Sequence, residues 1–482
     1  MAYASARPAA GRSAGLVFGL AGLGLFAVLC GVGIAFGELE ATVAAASLIA
    51  AVAVLLDYRV GAVLMIIMMP VESTVYFPHE MFGLNGLNPL NLVIFATLGS
   101  YLLRGRNLGR FVPRPLLWLF VVPIVVAGLI GTRHVDDIYP FFYEHQLINY
   151  TNAAGYLRDG VLKPLLTVVA ALLIAASVAQ SKKVERFLAP IVIAVWAVSL
   201  VAIVYVAVAG VSLGVLANAH NRTFFSALGL HANELGRLYA VAYALLLFTW
   251  GETKDMHLKS LLVITMGLLT LALMLTFSRG AFVGFILVNA LFLMWKFNAR
   301  TFGLALLVAA LGAMLLPGAV LSRLSHGFGD GGHGEINAVS AGRVDEIWTP
   351  LMPEVLSSPP WGNGLDSTMW SHAIWTQQIL EVTHPHNAYL QAILDMGVIG
   401  LVLLLAYWLH VFRRLRELGS NAYLSPTMRG FYQGAMAGLL CFLVTGFAGS
   451  SMRPTPEFSF LWIAIGMMYG QLLRKPERAA ER

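Results

Sequence analysis

Long apolar runs separated by short polar connections dominate the chain. Fourteen runs approach the roughly 20 mostly apolar residues that a spanning helix needs: 14–36, 40–56, 58–71, 88–103, 115–131, 161–179, 187–209, 233–250, 258–277, 280–296, 302–320, 397–412, 430–449 and 457–473. The second and third are divided only by Asp57-Tyr58-Arg59. This pattern predicts an all-α, polytopic integral membrane protein of about 14 transmembrane helices, one membrane domain over residues 1–482. The first run follows Arg7 and Arg12 and ends in Ala35-Phe36-Gly37, a loose match to a cleavage site. Its length reads as a helix and not as a removed signal peptide.

Four connections are long: 72–87, 132–160, 210–232 and 321–396. The largest predicts a partly helical loop. Within it Val344, Ile347, Trp348, Leu351, Met352 and Val355 recur at helical spacing, which suits an amphipathic helix that Pro350 and Pro353 would end or kink. A second helix is expected to begin near His386-Asn387 and run through Tyr389, Leu390, Ile393 and Leu394 into the span after Gly397. No internal repeat supports an inverted-repeat transporter.

Composition agrees with a membrane setting. Of 482 residues 58% are hydrophobic and 12% charged, about half the charged fraction of a soluble domain, which excludes a soluble multidomain enzyme. The net charge of +6 would hint at nucleic acid in a soluble protein. Here most of the Lys and Arg fall in alternate connections: Arg104 to Arg114, Lys182 to Arg186, Lys254 and Lys259, Lys296 and Arg300, Arg413 to Arg429, and the tail from Arg474. By the positive-inside rule that side is cytoplasmic. Both termini are then inside, the long loops outside, and no nucleic-acid partner is implied. Cys30 and Cys441 sit in apolar stretches, where a free thiol acts as a small hydrophobe.

Polar groups at the outer rim are the candidates for chemistry, because charges there are costly. Arg279 lies between two apolar runs in Ser278-Arg279-Gly280; it is either a snorkelling anchor or the partner of an anion. Arg343 opens the amphipathic segment beside Asp345 and Glu346, with which a surface ion pair is the competing reading. Arg222 and Arg237 flank His231-Ala232-Asn233-Glu234, and Arg237 could pair with Glu234 one turn away. Several guanidinium groups around one cavity suit a diphosphate. In His384-Pro385-His386-Asn387-Ala388-Tyr389 a neutral His386 could accept a proton, or be a hydrogen-bonded structural histidine. A metal site drawing on His326, His333, His384 or His386 lacks a completing ligand at suitable spacing. Gly327 to Gly334 lacks the Lys-Ser/Thr of a phosphate loop and reads as a lid or linker.

Taken in order, these segments resemble the O-antigen ligase and O-antigen polymerase superfamily of bacterial membrane glycosyltransferases. The resemblance is carried by His231-Ala232-Asn233-Glu234, Ser278-Arg279-Gly280, Arg343 with Trp348 and Pro360-Trp361-Gly362-Asn363-Gly364, and His386 to Leu390 leading into Met396-Gly397-Val398-Ile399-Gly400, over roughly residues 210–412. It implies transfer of a saccharide from an undecaprenyl-diphosphate carrier to an acceptor hydroxyl on the periplasmic side of the inner membrane, with no cofactor or metal. Arg279 and Arg343 would stabilise the diphosphate and His386 would be the general base. Arg222, Asn233, Arg237, His384, Asn387 and Tyr389 would bind substrate. The loop 321–396 would roof the site. The implied partners are the carrier-linked saccharide, an acceptor glycan or lipid A core, membrane lipids and a chain-length regulator. Polymerisation of O-antigen or exopolysaccharide units is the first expectation, since fourteen spans and a short tail suit it. Ligation to lipid A core is the alternative, and a transporter or flippase of lipid-linked saccharide the alternative of another class.

Overall fold

A computed structural model describes residues 39–81, 84–86, 88–104, 111–212, 216, 219–296, 303, 337, 340 and 342–474. Among them the chain is helical apart from a two-residue antiparallel ladder, Glu80–Met81 against Leu84–Asn85. The long helices are α1 Leu39–Leu56, α2 Tyr58–Met68 and α3 Pro89–Arg104, then α4 Arg114–Asp137, α5 Ala153–Gln180 and α6 Val184–Ala209. After them come α7 Ala232–Glu252, α8 Met256–Leu275 and α9 Arg279–Trp295, the loop helix α10 (344–357), α11 Ala388–Gly419, α12 Pro426–Thr445 and α13 Ser459–Leu473. Six helices, α4, α5, α6, α8, α11 and α12, are long and apolar enough to cross a membrane, and α1, α2, α3 and α9 contain shorter apolar stretches. Length and composition therefore support six crossings among the described residues, fewer than the fourteen expected. The expected span 14–36, all of the expected span 302–320 but residue 303, Cys30, His326, His333 and the glycine-rich stretch 327–334 lie outside those residues.

The two most enclosed helices are α7, buried continuously from Leu235 to Thr249, and α13, buried from Ser459 to Gly470. Lipid gives apolar helices no reason to associate, so close backbone approach must supply the attraction. On α12 the i, i+4 stripe Gly430, Gly434, Gly438 rests on α7. A Cβ at Gly434 would come 2.5 Å from the Ala244 carbonyl oxygen. Gly466 and Gly470 of α13 meet the backbone of Ala171 and Ala175 on α5 in the same way.

Proline shapes the helix entries. Wide π turns at Leu117–Val121, Arg158–Leu162 and Val344–Trp348 each run into an α segment with proline at its second position: Pro123, Pro164 and Pro350. Proline lacks the N–H that would continue the i to i−4 ladder, so the wider turn forms where that bond is unavailable. The expected amphipathic helix thus passes both Pro350 and Pro353 without ending, and buries Ile347 and Leu351.

The long helix α11 is broken at Gly397, whose φ of 66° and ψ of −175° are not helical. The break receives the chain at 359–364. The Ile399 N–H donates to the Pro360 carbonyl, the Asn363 N–H to Leu394 and the Gly364 N–H to Asp395. Gly362 and Gly397 both have positive φ, and a Cβ on either would strike the opposing backbone. Two glycine-bearing motifs far apart in sequence thus form one seam, which ties the loop over the bundle to the start of α11.

At one end of the bundle Arg474 Nη1 donates to the Ser181 carbonyl, Ser425 Oγ to Glu185, and Glu252 pairs with Lys296 and, at 3.7 Å, with Arg429. The starts of α7, α9, α11 and α13 and the ends of α8 and α12 gather at the other end.

Gly397→Ala should cost about 3 kcal/mol through strain at positive φ and overpacking. Gly99→Ala, with open space around its Cβ inside α3, should change stability by no more than about 1 kcal/mol. Thermal unfolding in detergent followed by tryptophan fluorescence would compare them; equal midpoints would remove the seam from the stability argument.

Candidate functional site

Each polar side chain at this end is held by local chemistry. His231 caps α7: its Nδ1 accepts from the Asn233 N–H at 3.2 Å, while Glu234 Oε2 accepts from the His231 N–H at 3.1 Å. Asn233 Oδ1 accepts from Ser278 Oγ at 2.9 Å, and Ser278 in turn caps α9 through the Ala281 N–H. Gly236 permits the contact, since a Cβ there would come 2.5 Å from that of Ala281. The starts of α7 and α9 are thereby locked together, with Arg279 on the first turn of α9, just beyond its cap.

Arg237 does not pair with Glu234. It reaches across to the connection between α12 and α13, where Nη2 lies 2.6 Å from Glu457 Oε2 and Nη1 donates to the Ala448 carbonyl at 3.2 Å. The two side chains are 5% and 2% exposed, and the guanidinium also stands 5.8 Å from the centre of the Phe458 ring. Glu457 was not singled out from the sequence. The available signal was its place beside Arg453 in a proline- and serine-rich connection between two apolar runs.

Arg343 stands at the start of α10 and lines a cavity of about 510 Å³ with Gly280, Trp348, Thr445, Phe447 and Ala448. Among the described residues it forms no ion pair, and Asp345 and Glu346 are exposed. Burial, then the charges of Arg279 and Arg237, push its pKa down to about 10. Three arginines from α7, α9 and α10 therefore share one electrostatic neighbourhood.

The histidines belong to it as well. Trp348 Nε1 donates to the Pro385 carbonyl at 2.8 Å, which fastens α10 to His384-Pro385-His386. The two rings stand edge to face with centroids 4.3 Å apart, and Thr383 Oγ1 is 3.0 Å from His384 Nδ1. His386 has φ of 52°, a left-handed conformation that costs a non-glycine residue about 1–3 kcal/mol and is characteristic of functional sites. Burial, His384, Arg343, His231 and Arg237 together lower the His386 pKa to about 2. Burial and then Arg237, partly offset by Asp366, lower that of His384 to about 4. Both imidazoles are neutral throughout the physiological range.

The other expected substrate-binding residues have internal partners. Asn387 caps α11 by accepting from the Tyr389 and Leu390 N–H groups, and the Tyr389 hydroxyl donates to the Leu443 carbonyl at 2.7 Å while its ring packs on Phe447. Arg222 lies in the 3-10 helix Ala219–Leu228, and its side chain is outside the description. Among the described residues no group of three His, Cys, Asp or Glu side chains is placed to hold a metal ion.

A second ion cluster braces the loop. Arg453 binds both carboxylate oxygens of Asp366 and the Gly160 carbonyl. Buried Asp395 accepts from the Ser367 N–H and Oγ at 3.1 Å and from Gln391 Nε2 at 2.6 Å. Burial opposes the Arg453 charge, but Asp366 and Asp395 hold its pKa above the ordinary value.

Fold and site together define a helical, multi-pass membrane protein whose bundle carries at one end a cavity lined by Arg343, with two buried histidines in the same electrostatic neighbourhood. Residues 264–405 match the family model described as O-antigen ligase, which supports the O-antigen ligase and polymerase superfamily read from the sequence motifs. The matched stretch holds Arg279, Arg343, His384, His386 and both halves of the glycine seam; His231, Asn233, Arg237 and Glu457 lie outside it. No curated protein matches the chain.

Removing Glu457 leaves Arg237 buried and unpaired, so Glu457→Ala should cost about 3–5 kcal/mol, and adding Arg237→Met should restore a large part of it. Thermal unfolding of the single and double variants checks this. If Glu457→Ala unfolds at the native temperature, the pair contributes nothing to stability.

Proposed function

We propose that the protein is a glycosyltransferase that moves a saccharide from an undecaprenyl-diphosphate carrier to an acceptor hydroxyl on the periplasmic face of the inner membrane. The observation that supports this reading is electrostatic: Arg343, which lines the cavity, feels the charges of Arg279 and Arg237, and Arg237 and Arg343 in turn act on the two buried histidines. Arg279 and Arg343 are the cations assigned to the diphosphate, beside Arg237, which Glu457 binds. Negative charge develops there as the glycosidic oxygen leaves, and fixed cationic donors lower that barrier without reorganising. His386 takes the acceptor proton as the new bond to the anomeric carbon forms and the bond to the diphosphate breaks. His384, edge-on to it, orients the ring.

The low proton affinity of His386 has a purpose in this scheme. Without donor, burial first and then His384 and the cations Arg343 and Arg237 keep the imidazole free of a proton. A bound diphosphate cancels part of that field and raises the affinity, so the base becomes effective when the donor is in place. The acceptor proposed is a second carrier-linked repeat unit, giving a polymerase of O-antigen or exopolysaccharide. The description of the matched family favours the alternative acceptor, lipid A core. Purified protein given a lipid-linked repeat unit, with and without lipid A core, distinguishes them by product: longer carrier-linked chains or glycosylated core. Movement of the lipid without a new glycosidic bond would reject both.

Arg279→Ala and Arg343→Ala should each lower the transfer rate by about 10²–10³ and His386→Ala by about 10²–10⁴, with expression and thermal midpoint retained. Near-normal transfer by His386→Ala would remove it as the base.

The pH profile offers an independent check. A depressed histidine pKa places the acid limb of kcat/KM, with donor varied, well below pH 5, because that quantity reports the donor-free protein. The limb in kcat reports the loaded complex and should lie at higher pH. An acid limb in kcat at or below that in kcat/KM would contradict the field argument.

A further inference from the structure

At the opposite end of the bundle, a cleft of about 440 Å³ opens between α9, α11 and α12. That volume is in the range of small-molecule sites, and none of its lining belongs to the cationic cavity. One wall is apolar, from Trp295, Phe412 and Met436; the mouth carries Lys296 and Arg416. Lys296 pairs with Glu252, which is also approached by Arg429. Among the described residues Arg416 has no ion-pair partner, so it adds a cation at the cleft mouth beyond the two that bind Glu252. Helix α11 ends here, and its terminal carbonyls would ordinarily repel an anion. Two are already occupied: the Gly419 oxygen accepts from Gln433 Nε2 at 2.8 Å and the Arg416 oxygen from Ser420 Oγ at 3.0 Å. The same contact assigns the Gln433 amide, leaving Oε1 buried in the cleft wall with no partner among the described residues. A buried acceptor without a donor is costly.

We propose that this cleft binds the headgroup of an anionic glycerophospholipid. The phosphate lies between Lys296 and Arg416, and an acyl chain runs along Trp295 and Phe412. Basic pockets between transmembrane helices are a recognised setting for such headgroups. The site is separate from glycan transfer and does not depend on that reading.

The test uses the intact protein extracted from vesicles of phosphatidylglycerol and phosphatidylcholine, with retained lipid counted by native mass spectrometry. Retention of one phosphatidylglycerol, at least tenfold preferred over phosphatidylcholine and reduced at least fivefold by Arg416→Ala and further by Arg416→Glu, is the expected result. The Arg416 side chain is exposed, so both variants should fold, which their thermal midpoints verify. Equal retention of the two lipids, or unchanged retention in both variants, would overturn the proposal. So would inorganic phosphate raising the thermal midpoint as much as short-chain phosphatidylglycerol, since the cleft would then be a site for free phosphate.

Discussion

The buried pair of Arg237 and Glu457 is the constraint on which the cavity-bearing end of the bundle depends. A guanidinium taken out of water on the central helix must find a carboxylate, and the one it finds lies 220 residues further along the chain. Meeting it brings the connection between α12 and α13 over the start of α7. The same guanidinium also donates to the Ala448 carbonyl, which places one wall of the cavity that Arg343 lines. Its charge reaches Arg343, His384 and His386. One interaction therefore organises the backbone and sets part of the electrostatic field in which the histidines sit.

Two further devices hold the loop that bears those histidines. The glycine seam at 359–364 and 394–399 allows main chains to touch, and the Arg453, Asp366 and Asp395 cluster pins the intervening segment to α5 through Gly160. Between these anchors the chain can hold His386 in a left-handed conformation that it would not adopt alone. The Trp348 indole completes the arrangement by fixing α10, and with it Arg343, to the same segment. The loop is thus tied to the bundle at several points along its described length.

Much of the helical layout was legible in the sequence, because an apolar run in a membrane has few alternatives to a helix. The predicted α10 and the helix start at His386-Asn387 correspond to observed elements, and Gly397 marks the observed break in α11. Crossing number was less legible. The apolar stretches of α1, α2, α3 and α9 are shorter than a straight crossing needs, and the runs 14–36 and 302–320 fall outside or almost wholly outside the described residues. Small residues at i, i+4 on α12 were the signal for the closest packing, visible only when the partner backbone is known.

By itself the sequence determined the chemical inventory and where it enters the chain: arginines and histidines at the ends of apolar helices, with no acid adjacent to Arg279. It also determined local caps, since Asn387, Ser278 and His231 satisfy N–H groups within three residues of themselves. Only the tertiary structure decided partnership. Arg237 takes Glu457 in place of the acid one turn away, Asn233 serves Ser278, and Tyr389 serves Leu443. The physical reason is that a local contact follows from spacing along one helix, whereas the desolvation that makes a buried charge choose its partner is set by every helix packed around it.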